Sequence, residues 1–569
     1  MLRKNRNLSL LAAALIGVFF LVVALSAKSG SPRDRSGQWP IAGHDLDNSR
    51  SQPSEKKIGT DNVHQLVPKW VFTTGSDVSA TPTVAGNAVY FPDWAGNLYA
   101  VRANDGRLIW TRTITDYTGV PETISRVSPA IFEDRLIIGD HNGASWVSSA
   151  SGFVGGAHVI AVDRHSGALL WITQVDAHPA ALITGSPVVH GTTVYVGVSS
   201  QEEGLAANPA YPCCTFRGSM VALDVFTGNI LWKTFTVPDN MGLTNQYSGN
   251  AIWSPPAIDP SRGSLFTGVG NNYTVPKSVL QCQQEAIASG NPNPNCEAPD
   301  DFFDSVLALD LATGAIKWSR RLSAFDVWTV ACPPITVPPG VNCTSPFGLD
   351  FDIASGSGVN LLHLGDDPPH GRGRQQGESR ADLVGVPSKS GIYWALNPDT
   401  GAIVWRTIVG PGGVTGGIQW GSAFDGTRIY AAVNNPAHTT FTLANRGPTI
   451  NWGSWAALDP RTGRILWQVP DPTVGALDPG AVSVANGVLY AGSYSGAMYG
   501  LDAATGAVLF TFASGGSVID APSIVKGTVY WGSGYRNISP GIGNNKVFAF
   551  SLSGSEHGQG HSKNHGEQD

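Results

Sequence analysis

Short apolar stretches alternate with small polar turns along this chain, and the alternation recurs as one phrase. Small or apolar residues lead to an acid or amide, then a turn ending in Gly, then an apolar run closed by Trp. The phrase reads AVRANDGRLIW ending at Trp110, AVDRHSGALLW at Trp171, ALDVFTGNILW at Trp232 and ALDLATGAIKW at Trp318. It returns as ALNPDTGAIVW at Trp405, ALDPRTGRILW at Trp467 and GLDAATGAVLF at Phe510. Each copy predicts two strands joined by a tight turn, with Asp or Asn, Thr or Ser, and Gly supplying the turn chemistry. A second recurring stretch upstream, as in ATPTVAGNAVYFPD, GSPVVHGTTVYVGV and GAVSVANGVLYAGS, predicts two more strands. Four short antiparallel strands per copy predict the blades of a β-propeller.

The strands also count the blades. Those that open the phrase fall near Leu98, Val159, Met220, Val306, Ile392, Trp455 and Met498, with an eighth near Val547 that has no closing partner. A closing strand without an opening one, KWVF, lies around Trp70. Pairing these two predicts an all-β, eight-bladed propeller whose ring is closed by its N- and C-terminal strands, leaving no open sheet edge. The intervals between Trp232, Trp318 and Trp405 are stretched, which predicts long loops on a rigid scaffold, where sites usually sit.

With 569 residues the chain would ordinarily be read as several domains, but the repeat runs almost end to end. The expected organisation is a targeting segment over 1–27, a lead-in over 28–62, the propeller over 63–554 and a polar, disordered tail over 555–569. Arg3, Lys4 and Arg6 precede an apolar run from Leu8 to Leu25. That is the pattern of a secretory signal peptide, with an uncleaved anchor as the alternative and the only expected tie to a membrane. Periplasmic or secreted location follows. Formal net charge is -7 and no basic stripe occurs, which argues against nucleic acid as a partner. Six cysteines in an exported chain suggest three disulfides, and position proposes Cys213–Cys214, Cys282–Cys296 and Cys332–Cys343. Cys213 and Cys214 paired elsewhere is the alternative. No C-x-x-C-H occurs, so no covalently attached haem is expected.

The repeated phrase resembles the tryptophan-docking motif of the quinoprotein alcohol dehydrogenases, which bind pyrroloquinoline quinone (PQQ). WPIAGHDLDNSRSQ, SRVSPA, CCTFRGS and GGIQWGSAFDG make the chain look most like the polyvinyl-alcohol dehydrogenase group of that family. In the family the repeat Trp residues lock blades together, so the site comes from unrepeated residues. In VSSQEEGL the resemblance implies a glutamate metal ligand, with Glu203 fitting its spacing and Glu202 the alternate. In AIWSPPAIDPSRGSLFTGVGNNY, the order Trp253, Asp259, Asn271 matches the family. It implies Trp253 as the floor under the quinone and Asn271 as a metal ligand. In PFGLDFDIASGS it implies Asp350 as catalytic base and metal ligand, with Asp352 as the added acid of members resembling lanthanide users. Two acids at i and i+2 on an extended segment also share a face, which suits a metal. The family has this acid directly after its Asp-x-Trp, whereas the Cys332–Cys343 loop here separates Asp350 from Asp326-Val327-Trp328.

Arg126 matches the arginine that binds a cofactor carboxylate, Lys389 the cation against the quinone oxygens, and Gln419-Trp420 an Asn-Trp pair near the cofactor. Cys213-Cys214 departs from the pattern. The family carries its vicinal disulfide on the preceding blade, whereas here it follows Glu203, on a loop expected to reach the active face; contact with the cofactor is open. The implied activity is oxidation of an alcohol, secondary or polymeric among the candidates. PQQ and calcium or a lanthanide would serve as cofactors, with Asp350 and Lys389 catalytic, and electrons would leave to a soluble cytochrome c or similar acceptor. Two other classes compete. A non-catalytic propeller acting as an envelope assembly scaffold would not need the polar set, and a polysaccharide hydrolase or lyase using Asp350 and Asp352 would need no quinone.

Overall fold

In a computed structural model of the chain, the described residues are 37–141, 155–290, 295–333, 343, 348, 350–354, 356–365 and 381–552. The expected targeting segment over 1–27 and tail over 555–569 lie outside them. The described residues belong to one compact unit, 36–569.

Eight antiparallel sheets follow one another along the chain: blades 1 (83–113), 2 (130–176), 3 (188–235), 4 (257–321), 5 (360–408), 6 (423–470), 7 (482–513) and 8 (523–551 with 67–73). Each has four strands in meander order, and blade 3 carries one more short strand, Ala181–Leu182, on its inner edge. In blade 8 the strand Val67–Thr73 lies against Lys546–Ser551, with Trp70 opposite Ala549. The ring closes as the unpaired strands of the sequence require.

The ladder explains the repeated phrase. Each closing Trp faces a small residue across the hairpin, as Trp171 faces Ala161 and Trp232 faces Ala222, and the register slips by one residue immediately afterwards. The slip turns the indole toward the next blade. Its Nε1 then donates to a main-chain carbonyl there: Trp110 to Arg164, Trp171 to Val225, Trp232 to Leu311, Trp318 to Pro398, Trp405 to Pro460, Trp467 to Ala503 and Trp70 to Ala103, all at 2.9–3.1 Å. The ring of each indole covers the turn glycine of that next blade. At Gly228, with φ 73°, a Cβ would lie 2.6 Å from Trp171, so the glycine answers both the backbone angle and the approach. Phe510 has no donor; it packs edge-on against Phe550, with ring centroids 5.8 Å apart.

The chain ahead of blade 8 is not a simple lead-in. Trp39 pairs with Val84 of blade 1 and the Pro40 carbonyl accepts from Ile131 of blade 2. Leu46, Asp47, Ser49 and Arg50 carbonyls then accept from Ile258, Leu361, Phe424 and Val484, in blades 4, 5, 6 and 7. The Gln52 amide ends the run by donating to Ile524 of blade 8. Residues 39–52 thus form a strap that visits blades around the ring in their own order.

Three disulfides form, with the pairings proposed from position. Cys282–Cys296 ties the helix Lys277–Ser289 to the long loop of blade 4, and Cys332–Cys343 closes the loop before Asp350.

Candidate active site

The polar residues that stand outside the repeat gather where the loops of blades 3, 4 and 5 meet. Lys389 follows the second strand of blade 5 and is buried. Its Nζ lies 2.9 Å from both carboxylate oxygens of Asp350 and 2.6 Å from Oδ2 of Asp352. The other Asp352 oxygen accepts the main-chain N–H of Asn271 at 3.1 Å. Gly270 makes this possible, since a Cβ there would meet Asp352 Oδ1 at 2.4 Å and the Trp253 indole nitrogen at 2.9 Å. Trp253, Asn271, Asp350, Asp352 and Lys389, from separate segments of the chain, therefore come together.

Asp326 spans the inserted loop. Its carboxylate accepts the main-chain N–H groups of Asp350 (3.3 Å) and Phe351 (3.0 Å). Trp328, two residues on, donates its N–H to the Asn271-Asn272 strand, at the Asn272 carbonyl. Asp326 thus stays beside Asp350 although the Cys332–Cys343 loop separates them in sequence. Asp350 has φ 54°, a left-handed conformation that a non-glycine residue adopts at an energetic cost and that recurs at functional sites.

The two glutamates after Ser200 separate cleanly. Glu202 is saturated: Tyr211 Oη donates to it at 2.9 Å, and the main-chain N–H groups of Thr215 and Phe216 donate at 2.8–3.0 Å. It anchors the loop that carries Cys213–Cys214. Glu203 instead lies in the field of Lys389, Asp352 and Asp326, and burial pushes its carboxyl up to about 7, with Lys389 opposing. Asp350 is also pushed well up by burial, with the Lys389 ammonium pulling it back and Asp352 and Glu203 adding to the rise. For Lys389 the signs reverse: burial alone would strip its proton, and the surrounding acids hold it firmly protonated.

Asp304 is a member that the sequence did not single out. It is buried beside Asp326 and Asp352, accepts from Ser323 Oγ at 2.6 Å and has its carboxyl pushed well up by burial and by those neighbouring acids. Among the described residues, Glu203, Asp350 and Asp352 are buried around one ammonium, with buried Asp304 and Asp326 next to Asp352. Buried negative charge in such excess is costly unless a cation joins it. Those residues do not close on one point as a finished metal cage. The donor chemistry fits a hard ion all the same: the ligands are oxygens, and buried Asn271 has its amide nitrogen fixed by the Asn272 and Trp328 carbonyls while Oδ1 has no partner. The quinone fit rests on Trp253, whose indole nitrogen is buried without a partner beside Asp352.

Arg126, Gln419 and Trp420 lie across the axis. The Arg126 guanidinium stands over the rings of Trp420 (4.9 Å), Trp94 (5.3 Å) and Tyr535 (5.8 Å). Gly356, four residues after Asp352, lets Trp420 lie flat, since a Cβ would be 2.3 Å from its ring. Gln419 is buried with an unpartnered Oε1, and its carbonyl accepts from Ser357. Thr184 Oγ1 donates to the Trp253 carbonyl at 3.2 Å and lines the same cavity as Arg126 and Trp420, joining the two halves. Cys214 is buried in the apolar cluster that includes Trp253, with Cys213 at its edge. Asp259, the landmark between Trp253 and Asn271, lies apart in an ion pair with Arg262.

The PQQ_2 family model, described as outer membrane protein assembly factor BamB, matches residues 67–209, 147–320 and 453–556. The stretch it passes over holds Asp326, Asp350, Asp352, Lys389, Gln419 and Trp420. The polyvinylalcohol dehydrogenase of Sphingopyxis sp. (strain 113P3) is 30% identical over 563 residues, covering 91% of this chain and 77% of that protein. Among solved structures, the quinohemoprotein alcohol dehydrogenase from Comamonas testosteroni superposes with a TM-score of 0.65 at 19% identity, over 92% of this chain and 82% of that one. A europium-containing methanol dehydrogenase gives 0.61 at 16% identity, over 91% and 98%. This eight-bladed chain belongs to the PQQ-dependent quinoprotein alcohol dehydrogenases, a family of oxidoreductases acting on CH–OH groups, and within them to the polyvinylalcohol dehydrogenase-like group.

Proposed function

We propose that the protein oxidises a secondary or polymeric alcohol of the polyvinyl-alcohol kind, using PQQ and a calcium or lanthanide ion. One observation carries the reading: among the described residues, buried carboxyls outnumber the one ammonium beside them, next to an indole and an amide oxygen without a protein partner. Glu203, Asn271, Asp350 and Asp352 would hold the ion, and Trp253, Arg126, Gln419, Trp420 and the Cys213–Cys214 loop would border the quinone. When bound, PQQ supplies the two-electron acceptor that no amino-acid side chain provides.

The chain's own residues do the rest. Asp350 takes the proton of the substrate hydroxyl at its carboxylate, whose proton affinity burial raises. Lys389 keeps that carboxylate oriented through both oxygens and presents a fixed positive charge where negative charge develops. Asp326 holds the Asp350 turn, so the base stays aimed while its backbone is strained. Electrons leave to a separate acceptor of the soluble cytochrome c kind, in the periplasm or outside the cell, where the three disulfides persist.

The test is dye-linked oxidation by purified protein loaded with PQQ and either Ca2+ or La3+, offered methanol, a secondary alcohol and polyvinyl alcohol. Asp350→Asn is expected to lower turnover by about a thousandfold while PQQ still binds. Failure to bind PQQ under every metal condition, or undiminished turnover by Asp350→Asn, overturns the reading.

A further inference from the structure

A cavity lies on the propeller axis, lined from all sides by residues that precede the innermost strands, among them Thr81, Ser128, Thr184 and Asp520. Arg126 opens into it from the ring, and Arg50 opens into it from the strap. Arg50 is 4% exposed and no carboxylate stands within ion-pair distance of it among the described residues. Among the described residues its guanidinium makes only long contacts, at 3.4 Å to the Ala42 carbonyl and 3.5 Å to that of Trp420, and its Nε has no partner. Burial alone pulls it down to about 10. Arg50 also has φ 48°, and at Gly421 a Cβ would lie 2.5 Å from its Nε, so the backbone on both sides is shaped around this head group.

A buried guanidinium without a counter-ion is costly, and an Arg is retained in such a place when a bidentate acceptor completes it. The cavity offers the rest of an anion site: a second guanidinium, and hydroxyls around the wall. Among the described residues, the one acid on the wall, Asp520, accepts the Gly532 N–H with one oxygen and leaves the other unpartnered. Burial pushes that carboxyl well above the usual range, which lessens its negative charge in the cavity.

We propose that Arg50, carried by the strap, is a second cation of the cofactor pocket and receives a carboxylate of an aromatic polyacid whose other acid faces Arg126. The identity of the polyacid as PQQ rests on the function proposed above; the anion pocket does not. The strap is then part of the binding site as well as a clasp, since it brings Arg50 under the axis by bonding to the blades on either side.

Equilibrium titration of the full, metal-loaded chain with PQQ, followed by quenching of tryptophan fluorescence, reads the contact directly. Arg50→Gln is expected to weaken PQQ by about tenfold or more, and to leave PQQ trimethyl ester within about twofold of wild type, because the ester carries no charge to lose. Thr81→Val removes one wall hydroxyl at constant size and leaves the strap alone, with an expected loss of about threefold for PQQ and none for the ester. It answers the question where Arg50→Gln does not fold. A metal-free titration with benzene-1,3-dicarboxylate separates the two readings: diacid binding that depends on Arg50, in a chain that never binds PQQ, retires the quinone and keeps the pocket. PQQ binding unchanged in Arg50→Gln and Thr81→Val, or equal weakening of acid and ester, overturns the inference.

Discussion

Asp224 in a docking turn and Asp350 at the mouth carry the same carboxyl group in opposite circumstances. Asp224 accepts from the N–H groups of Phe226 and Thr227 and from the Thr227 hydroxyl, at 2.8–3.0 Å. Burial there is slight, and those donors hold it below the usual carboxylate range. Asp163 and Asp310 repeat the arrangement with Ser166 and Thr313. Asp350 is buried among other acids, its backbone is left-handed, and its proton affinity is raised. The turn closes its own hydrogen bonds and adds stability. The mouth stores unpaired charge that only a ligand resolves, and the stable ring tolerates that cost.

The comparison breaks most visibly at the docking contact. Trp171→Ala removes a buried indole and its bond to Val225, and should lower unfolding free energy by about 3–5 kcal/mol, read by urea titration. Metal affinity of the surviving folded fraction should be unchanged; a large loss of affinity would mean that ring and mouth are not separable. Next comes Glu203→Gln, the converse case. Ca2+ affinity should fall by about tenfold or more by calorimetry, while the metal-free protein melts no lower than wild type, since a buried acid has been neutralised. A drop in metal-free melting temperature would place Glu203 with the structural carboxylates, beside Glu202.

A smaller effect sharpens the turn side. Asp224→Ala should cost about 1 kcal/mol and leave turnover intact, because its donors can turn to water. The smallest is a pH effect on the strap. His363 bonds to Asp47 of the strap and to Asp382, each at 3.1 Å, and the Asp47 contact raises it, against burial, to about 9. Its folded value lies above the unfolded one. Its stabilisation is therefore whole below about 6.5 and lost as pH rises through about 9. Thermal melts of His363→Gln should be flatter than wild type across that window; an identical slope would remove His363 from the account.

The ring was legible because its causes are local. Turn donors, the Gly under the indole and the small residue opposite Trp all lie within a dozen residues of one another or repeat at the same offset. Even the split eighth blade follows from counting strands. The candidate site was proposed mainly through resemblance, since Glu203, Asn271, Asp350 and Lys389 are individually ordinary residues outside the repeat. Asp304 gave no sequence signal, as an acid before a strand is usually solvated. Arg50 was hidden for a related reason: it sits in a stretch without repeat or periodicity, which reads as a lead-in.

The sequence by itself determined an eight-bladed all-β ring, its closure by Trp70 and Val547 strands, and a disulfide pattern set by proximity in the chain. Tertiary structure alone decided which glutamate is saturated and which faces Lys389. It also decided that Asp326 reaches across a disulfide loop to hold Asp350, and that residues 39–52 circle the axis to place Arg50 under it. The physical reason is range. Strand and turn preferences act between near neighbours and leave their period in the sequence, whereas buried charge is set by everything that surrounds it once the ring has closed.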